Sequence, residues 1–234
     1  MSGPGWLVLS GARSAIGQCV AERWHRRGGR VLGVSRTPDL PGVDVVMTLD
    51  LSRPDGLTEP LAAVLDRGRI APQAFVHAAG VVFADRARHT TADERRRTLA
   101  VNLEAAFVLL NVVESRMGVG GSSVLVSSID AAMAPAAGPS AAYGAAKAGL
   151  EALVRHLAVE WGPEGRRINA VRPGPMAGGM GVSADTARYE GRAADRRLTT
   201  ADEVADAVIF LLGEGASGIT GQILAVDHGF GLEY

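Results

Sequence analysis

Tyr143 and Lys147 stand four residues apart, and Lys147 is the only lysine among the 24 lysines and arginines of this 234-residue chain. In a helix that spacing puts both side chains on one face, about a turn apart. A free phenol has a pKa of ~10, so one used as a base near neutrality needs a downward shift of several units, each worth ~1.4 kcal/mol. A nearby ammonium can supply that shift. An ammonium is also a compact three-donor group that can approach a phenol and neighbouring hydroxyls together, where the wide fork of a guanidinium does not fit. The same spacing occurs in ordinary helix surface pairs, but a chain that uses arginine for every other cation has a reason to keep this lysine. The pair is expected to move a proton, with Lys147 lowering the pKa of Tyr143.

A second chemical signal lies near the N-terminus. The apolar run Trp6-Leu-Val-Leu9 leads into Ser10-Gly-Ala-Arg-Ser-Ala-Ile-Gly17 and then into an amphipathic segment. A strand, a tight glycine turn and a helix N-terminus place free backbone N–H groups where a pyrophosphate can sit. Gly11, Arg13, Ser14, Ile16 and Gly17 are therefore candidate cofactor-binding residues. The next strand ends Val34-Ser35-Arg36-Thr37. An acid there would take the ribose hydroxyls of NAD, whereas an arginine accommodates the extra phosphate of NADP. The acid is absent and Arg36 is present, with Arg13 as a second jaw, since guanidinium groups suit bidentate phosphate contacts. Arg36 as a merely solvated residue is the alternative.

The elements that must position these groups follow from short apolar runs alternating with longer amphipathic segments, the pattern of a parallel sheet covered on both faces. Strands are predicted near 5–10, 30–35, 45–50, 74–79, 122–128, 166–172 and 223–227, and helices near 14–28, 56–68, 93–116, 140–162 and 201–213. The expected fold is α/β, one doubly wound Rossmann-type domain over 1–234 with a seven-stranded parallel sheet. Residues 175–200, glycine-rich and then charged, read as a substrate lid or a surface loop.

Composition narrows the function classes. A formal net charge of −1 gives no cationic excess for nucleic acid or an anionic membrane. One cysteine, Cys19, permits neither an intrachain disulfide nor a thiolate metal cage, and His25, His89 and His156 lack metal-ligand spacing, so no metal is expected. No apolar run approaches the ~18 residues of a membrane span, and a cytoplasmic enzyme is expected.

Taken together, these motifs resemble the short-chain dehydrogenase/reductase family over nearly the full length. Tyr143-Gly-Ala-Ala-Lys147 is similar to its catalytic Tyr-x-x-x-Lys, and Ser10–Gly17 to its glycine turn, with Ala15 in place of the middle glycine. His77-Ala-Ala-Gly80 stands where the family has Asn-Asn-Ala-Gly, so Ala79 and Gly80 are implied cofactor neighbours. His77 reads as structural, at the adenosine side of the sheet. Asp50-Leu51 resembles the adenine-contacting pair. Pro173-Gly174 resembles the Pro-Gly after the sixth strand; the usual threonine beyond it is missing, which leaves backbone around Met176 to meet the carboxamide. By the same resemblance Asn102 holds a water of a proton relay, and Ser128, with Ser127 as the alternative, binds the substrate carbonyl. The spacing from Ser128 to Tyr143 is longer than usual, and Asp130 stands where a shorter one would put the serine. His228 reads as a turn or subunit-contact residue.

The resemblance implies NADPH-dependent reduction of a ketone to a secondary alcohol, or the reverse. Epimerisation or dehydration through a keto intermediate, and an inactive NADP-binding scaffold, are the other readings. A small to medium, fairly apolar substrate would lie among Met176, Met180, Val182, Tyr189 and Ala131–Ala137. A homodimer or homotetramer is implied, with Leu150, Leu153, Val154 and Leu157 serving either the interface or the core.

Overall fold

Leu7 and Leu9 of the first strand point into one hydrophobic layer and Val8 into another, as successive strand residues must. This alternation is the signature of a sheet buried on both faces. The computed structural model describes residues 4–83, 86–134, 140–180 and 187–232. Its seven strands are β1 (Trp6–Ser10), β2 (Arg30–Ser35), β3 (Val45–Thr48), β4 (Pro72–His77), β5 (Ser122–Val126), β6 (Arg167–Pro173) and β7 (Ile223–Val226). They form one sheet in the order β3-β2-β1-β4-β5-β6-β7, every neighbouring pair parallel. The order reverses between β1 and β4, and the crevice beyond the strand C-termini at such a switch point is where open α/β sheets bind ligands.

The helices are α1 (Ala15–Arg26), α2 (Thr58–Arg67), α3 (Ala92–Leu99), α4 (Ala105–Glu114), α5 (Ala141–Trp161), α6 (Ala187–Glu190) and α7 (Ala201–Leu212). Val20 and Trp24 of α1 and Val204 and Val208 of α7 cover one face; Leu61 of α2, Leu109 of α4 and Leu150 and Val154 of α5 cover the other. Each such side chain contributes about 2 kcal/mol on burial. Leu150, Val154 and Leu157 are thus core residues, with Leu153 packed against them.

The predicted helix over 93–116 is interrupted: α3 and α4 are joined by a π-helical turn at Ala100–Glu104. The extra residue in such a turn re-aims side chains, and these turns recur at functional sites. Periodicity alone cannot show it, because one inserted residue barely disturbs the apolar pattern. The fifth strand ends at Val126 rather than 128, which frees the next two serines to leave the sheet.

Candidate active site

The cavity at the strand C-termini, about 620 Å³, runs from Arg36 and Asp50 past Gly80 to Tyr143 and Phe230. Its floor at one end is the glycine turn. A Cβ on Gly11, which has φ +76, would lie 2.3 Å from the Ala79 amide nitrogen, and one on Gly17 2.3 Å from the Gly11 carbonyl oxygen. Only glycine lets β4 and α1 approach this closely. Ser14 caps α1: its hydroxyl donates to the Gly11 carbonyl (2.8 Å) and accepts from the Gly17 amide (3.0 Å). Ala15 and Ile16, in the first turn of α1, have no acceptor four residues back in the helix, so their amides can meet an anion.

At the rim, Arg13 donates to the Thr37 hydroxyl (3.2 Å) and to the Asp39 carbonyl, tying the glycine turn to the segment after β2. Arg36 beside it lines the cavity, is exposed, and has no hydrogen-bond or ion-pair partner among the described residues. Asp50 also lines the cavity. One of its oxygens accepts from the Ser52 amide and hydroxyl, and these bonds hold its carboxyl below the usual range. Leu51 is buried beneath it. Ala79 and Gly80 continue the wall, followed by Pro173, Gly174 and Met176. Met176 pairs with Thr199 in a short parallel bridge, and Thr199 donates its amide to the Pro175 carbonyl (3.0 Å), which steadies this backbone. The cradle without Cβ atoms, the unpaired helix amides and the two rim arginines suit a phosphorylated dinucleotide, which these residues would hold.

At the other end, Tyr143 and Lys147 face the cavity from one side of α5, both buried. The Lys147 ammonium lies 5.6 Å from the centre of the Tyr143 ring and donates to the Val126 carbonyl (2.7 Å). The net shift of the phenol is upward, not the downward one expected from Lys147. Burial pushes Tyr143 up to about 12; the Ser128 hydroxyl within bonding reach works against that shift, and the Asp130 carboxylate adds to it. Burial also pushes Lys147 down to about 8. The physical reason is that both groups sit in a low-dielectric site, where desolvation of each charged form outweighs their mutual help.

The two serines separate cleanly. Both line the cavity, but the Ser127 hydroxyl is spent on Glu151 Oε1 (2.8 Å), while the Ser128 hydroxyl accepts from the Asp130 amide (3.2 Å) and keeps its proton to donate. Glu151, one turn beyond Lys147 on α5, also takes two bonds from Arg172 of β6, at 2.8 and 2.6 Å. This buried bracket joins β5, α5 and β6. The signal in the sequence was a glutamate on the otherwise apolar face of the Tyr143 helix.

Asn102 sits in the π turn, fully buried. Its amide nitrogen donates to the Val81 and Thr98 carbonyls, both at 2.8 Å, and its oxygen accepts from the Val81 amide at 3.3 Å. The side chain thus braces the loop after β4. His77 is structural, as expected, with Nδ1 2.7 Å from the Ser10 hydroxyl. It also lies within the field of Lys147. Burial, and next that ammonium, push its pKa down to about 3, so the ring is neutral.

Of residues 175–200, expected as a lid or a surface loop, 175–180 and 187–200 are described. Tyr189 of α6 stacks on Phe230 with ring centres 6.4 Å apart, and the Arg192 guanidinium lies 5.1 Å from the same Phe230 ring. Val182 and positions 135–137 of the expected pocket wall lie outside the described residues. His228, at φ +52, clasps the segment before α7: Nδ1 lies 2.8 Å from Asp195 and Nε2 3.1 Å from Glu203, which forms the α7 capping box with Thr200. It is a turn residue whose hydrogen bonds to two carboxylates the sequence did not disclose.

A family model described as enoyl-(acyl carrier protein) reductase matches residues 11–231. The chain is 32% identical to Protein FixR of Bradyrhizobium diazoefficiens, over 97% of this chain and 86% of that protein. It is 24% identical to NAD-dependent glycerol dehydrogenase of Listeria innocua, over 95% and 92% of the two chains. A short chain dehydrogenase from Burkholderia cenocepacia, solved in complex with NADP, superposes with a TM-score of 0.91 at 25% identity, covering 98% of this chain and 99% of that one.

Proposed function

The chain belongs to the short-chain dehydrogenase/reductase family and is an oxidoreductase, and from that premise we propose that it reduces a ketone to a secondary alcohol with NADPH. The observation that carries this reading is the buried Tyr143, with the Lys147 ammonium beside its ring, on the wall of a cavity whose far rim bears Arg36. A phenol that stays protonated at neutral pH is a proton donor, the role needed in reduction.

NADPH, when bound, supplies the hydride to the carbonyl carbon. Ser128 donates a hydrogen bond to the carbonyl oxygen as negative charge develops there, and Tyr143 gives that oxygen its proton. The phenolate left behind is stabilised by the Lys147 ammonium 5.6 Å from its ring centre. Asn102 keeps the loop carrying Gly80 and Val81 against the π turn, and the Glu151–Arg172 bracket holds the strand ends in register. Ile129, Met133, Met180 and Tyr189 make the substrate end largely apolar and exclude water from the proton transfer. We further propose that the enzyme works in the cytoplasm as a homodimer or homotetramer. No helix among the described residues is long and apolar enough to cross a membrane. Light scattering on the purified protein checks the oligomer.

A panel of ketones scored for NADPH consumption, with the alcohol identified as product, tests the reaction; consumption of none overturns it. Arg36→Ala tests the cofactor. Losing one charge-assisted phosphate contact costs about 2 kcal/mol, so Kd for NADPH should rise roughly thirty-fold while Kd for NADH changes little. Fluorescence titration reads both, and equal losses would remove Arg36 from the phosphate site.

A further inference from the structure

We propose that Asp130 is a substrate anchor, selecting a ketone or alcohol that carries a protonated amine within a few bonds of the reacting carbon. The inference rests on the oxidoreductase reading above and names its substrate class. Asp130 lines the cavity on the short turn Ile129–Ala131, two residues after Ser128. Its backbone is pinned twice. The amide donates to the Ser128 hydroxyl (3.2 Å), and the carbonyl packs so tightly on α5 that a Cβ on Gly144 would lie 2.9 Å from it. The glycine following Tyr143 therefore lets this turn, and the carboxylate on it, press against the catalytic helix.

The carboxylate itself is left over. Among the described residues it has no ion pair and no hydrogen-bond donor, although it is partly buried. Two cations that line the same cavity are engaged elsewhere: Lys147 donates to the Val126 carbonyl, and Arg192 lies over the Phe230 ring. Burial accordingly raises the Asp130 carboxyl above its usual range. A wholly apolar ketone entering this site would strip water from the carboxylate and give nothing back, a costly exchange. A neutral hydroxyl would offer a single hydrogen bond. An ammonium restores both the hydrogen bond and the charge balance. Because Asp130 shares its turn with Ser128, the group it anchors must be close to the oxygen that Ser128 and Tyr143 handle. The Met133 and Met180 side chains on the cavity wall accept N-alkyl groups.

The test uses an isosteric pair, 1-(dimethylamino)propan-2-one and 4-methylpentan-2-one, which differ in a protonated nitrogen against a CH. The wild-type enzyme should prefer the amine by about a hundred-fold in kcat/KM, and Asp130→Asn should bring that ratio to near one, with Asp130→Glu recovering part of it. Using the ratio cancels any general damage to catalysis. A wild-type preference for the hydrocarbon, or a ratio unchanged in Asp130→Asn, overturns the anchor. Equilibrium binding of the two ketones to wild-type enzyme holding NADPH, read by cofactor fluorescence, scores recognition without turnover. Selective binding of the amine with no reduction would sink the reductase reading alone, and equal binding would sink the anchor.

Discussion

Tyr143→Phe is expected to lower kcat for ketone reduction by on the order of a thousand-fold or more, with NADPH affinity unchanged. The substitution removes one oxygen from a side chain that is only 8% exposed, so the packing around the ring survives while the proton is lost. Ser128 would still polarise the carbonyl, and the residual rate measures what polarisation and positioning achieve without an acid. Steady-state kinetics beside a fluorescence titration of NADPH separates the two quantities. Retained turnover would remove Tyr143 from the proton-transfer step, and a parallel loss of NADPH binding would show that the hydroxyl serves the cofactor instead.

Lys147→Arg should be nearly as damaging, for a different reason. The ammonium is 2% exposed, 2.7 Å from the Val126 carbonyl, and 3.9 Å from where a Gly80 Cβ would be. A guanidinium adds two heavy atoms to that space, and overpacking of this kind costs about 1–3 kcal/mol. We expect a loss of turnover of about a hundred-fold and a lowered Tm. The pH profile carries the sharper signature. Lys147 is a base whose pKa is pushed down to about 8, so it is charged below that pH and neutral above it. The charge stabilises the phenolate formed as Tyr143 gives up its proton, so kcat/KM for reduction in the wild-type enzyme should fall as pH rises through about 8. In the arginine variant the residual activity should lack that limb, because a guanidinium does not titrate there. A near-silent swap, or the same alkaline limb in both proteins, would show that the lone lysine has no electrostatic role.

Much of this arrangement was legible from local patterns. The seven apolar runs became seven strands, and Gly11 and Gly17 bracket a turn in which a Cβ would meet backbone at 2.3 Å. Tyr143 and Lys147 do share a helix face on a cavity wall. What escaped were features whose partners are distant in the chain. His228 meets residues 33 and 25 positions away, and Glu151 meets Arg172 on another element. The π turn at Asn102 is stabilised by the loop at Val81, 21 positions earlier, so nothing in its own neighbourhood announces it.

By itself the sequence determined the order of strands and helices, the glycine turn, the arginine at the end of β2 and the spacing of phenol and ammonium. These are written in residue types and intervals, because backbone geometry repeats every two or 3.6 residues and needs no distant partner. Only the tertiary structure decided which serine is tied to Glu151, that burial raises the Tyr143 phenol instead of lowering it, and that the Asp130 carboxyl has no partner among the described residues. Those outcomes depend on desolvation and on contacts between elements, and a carboxylate or a phenol has no fixed pKa until the fold has chosen how much water surrounds it.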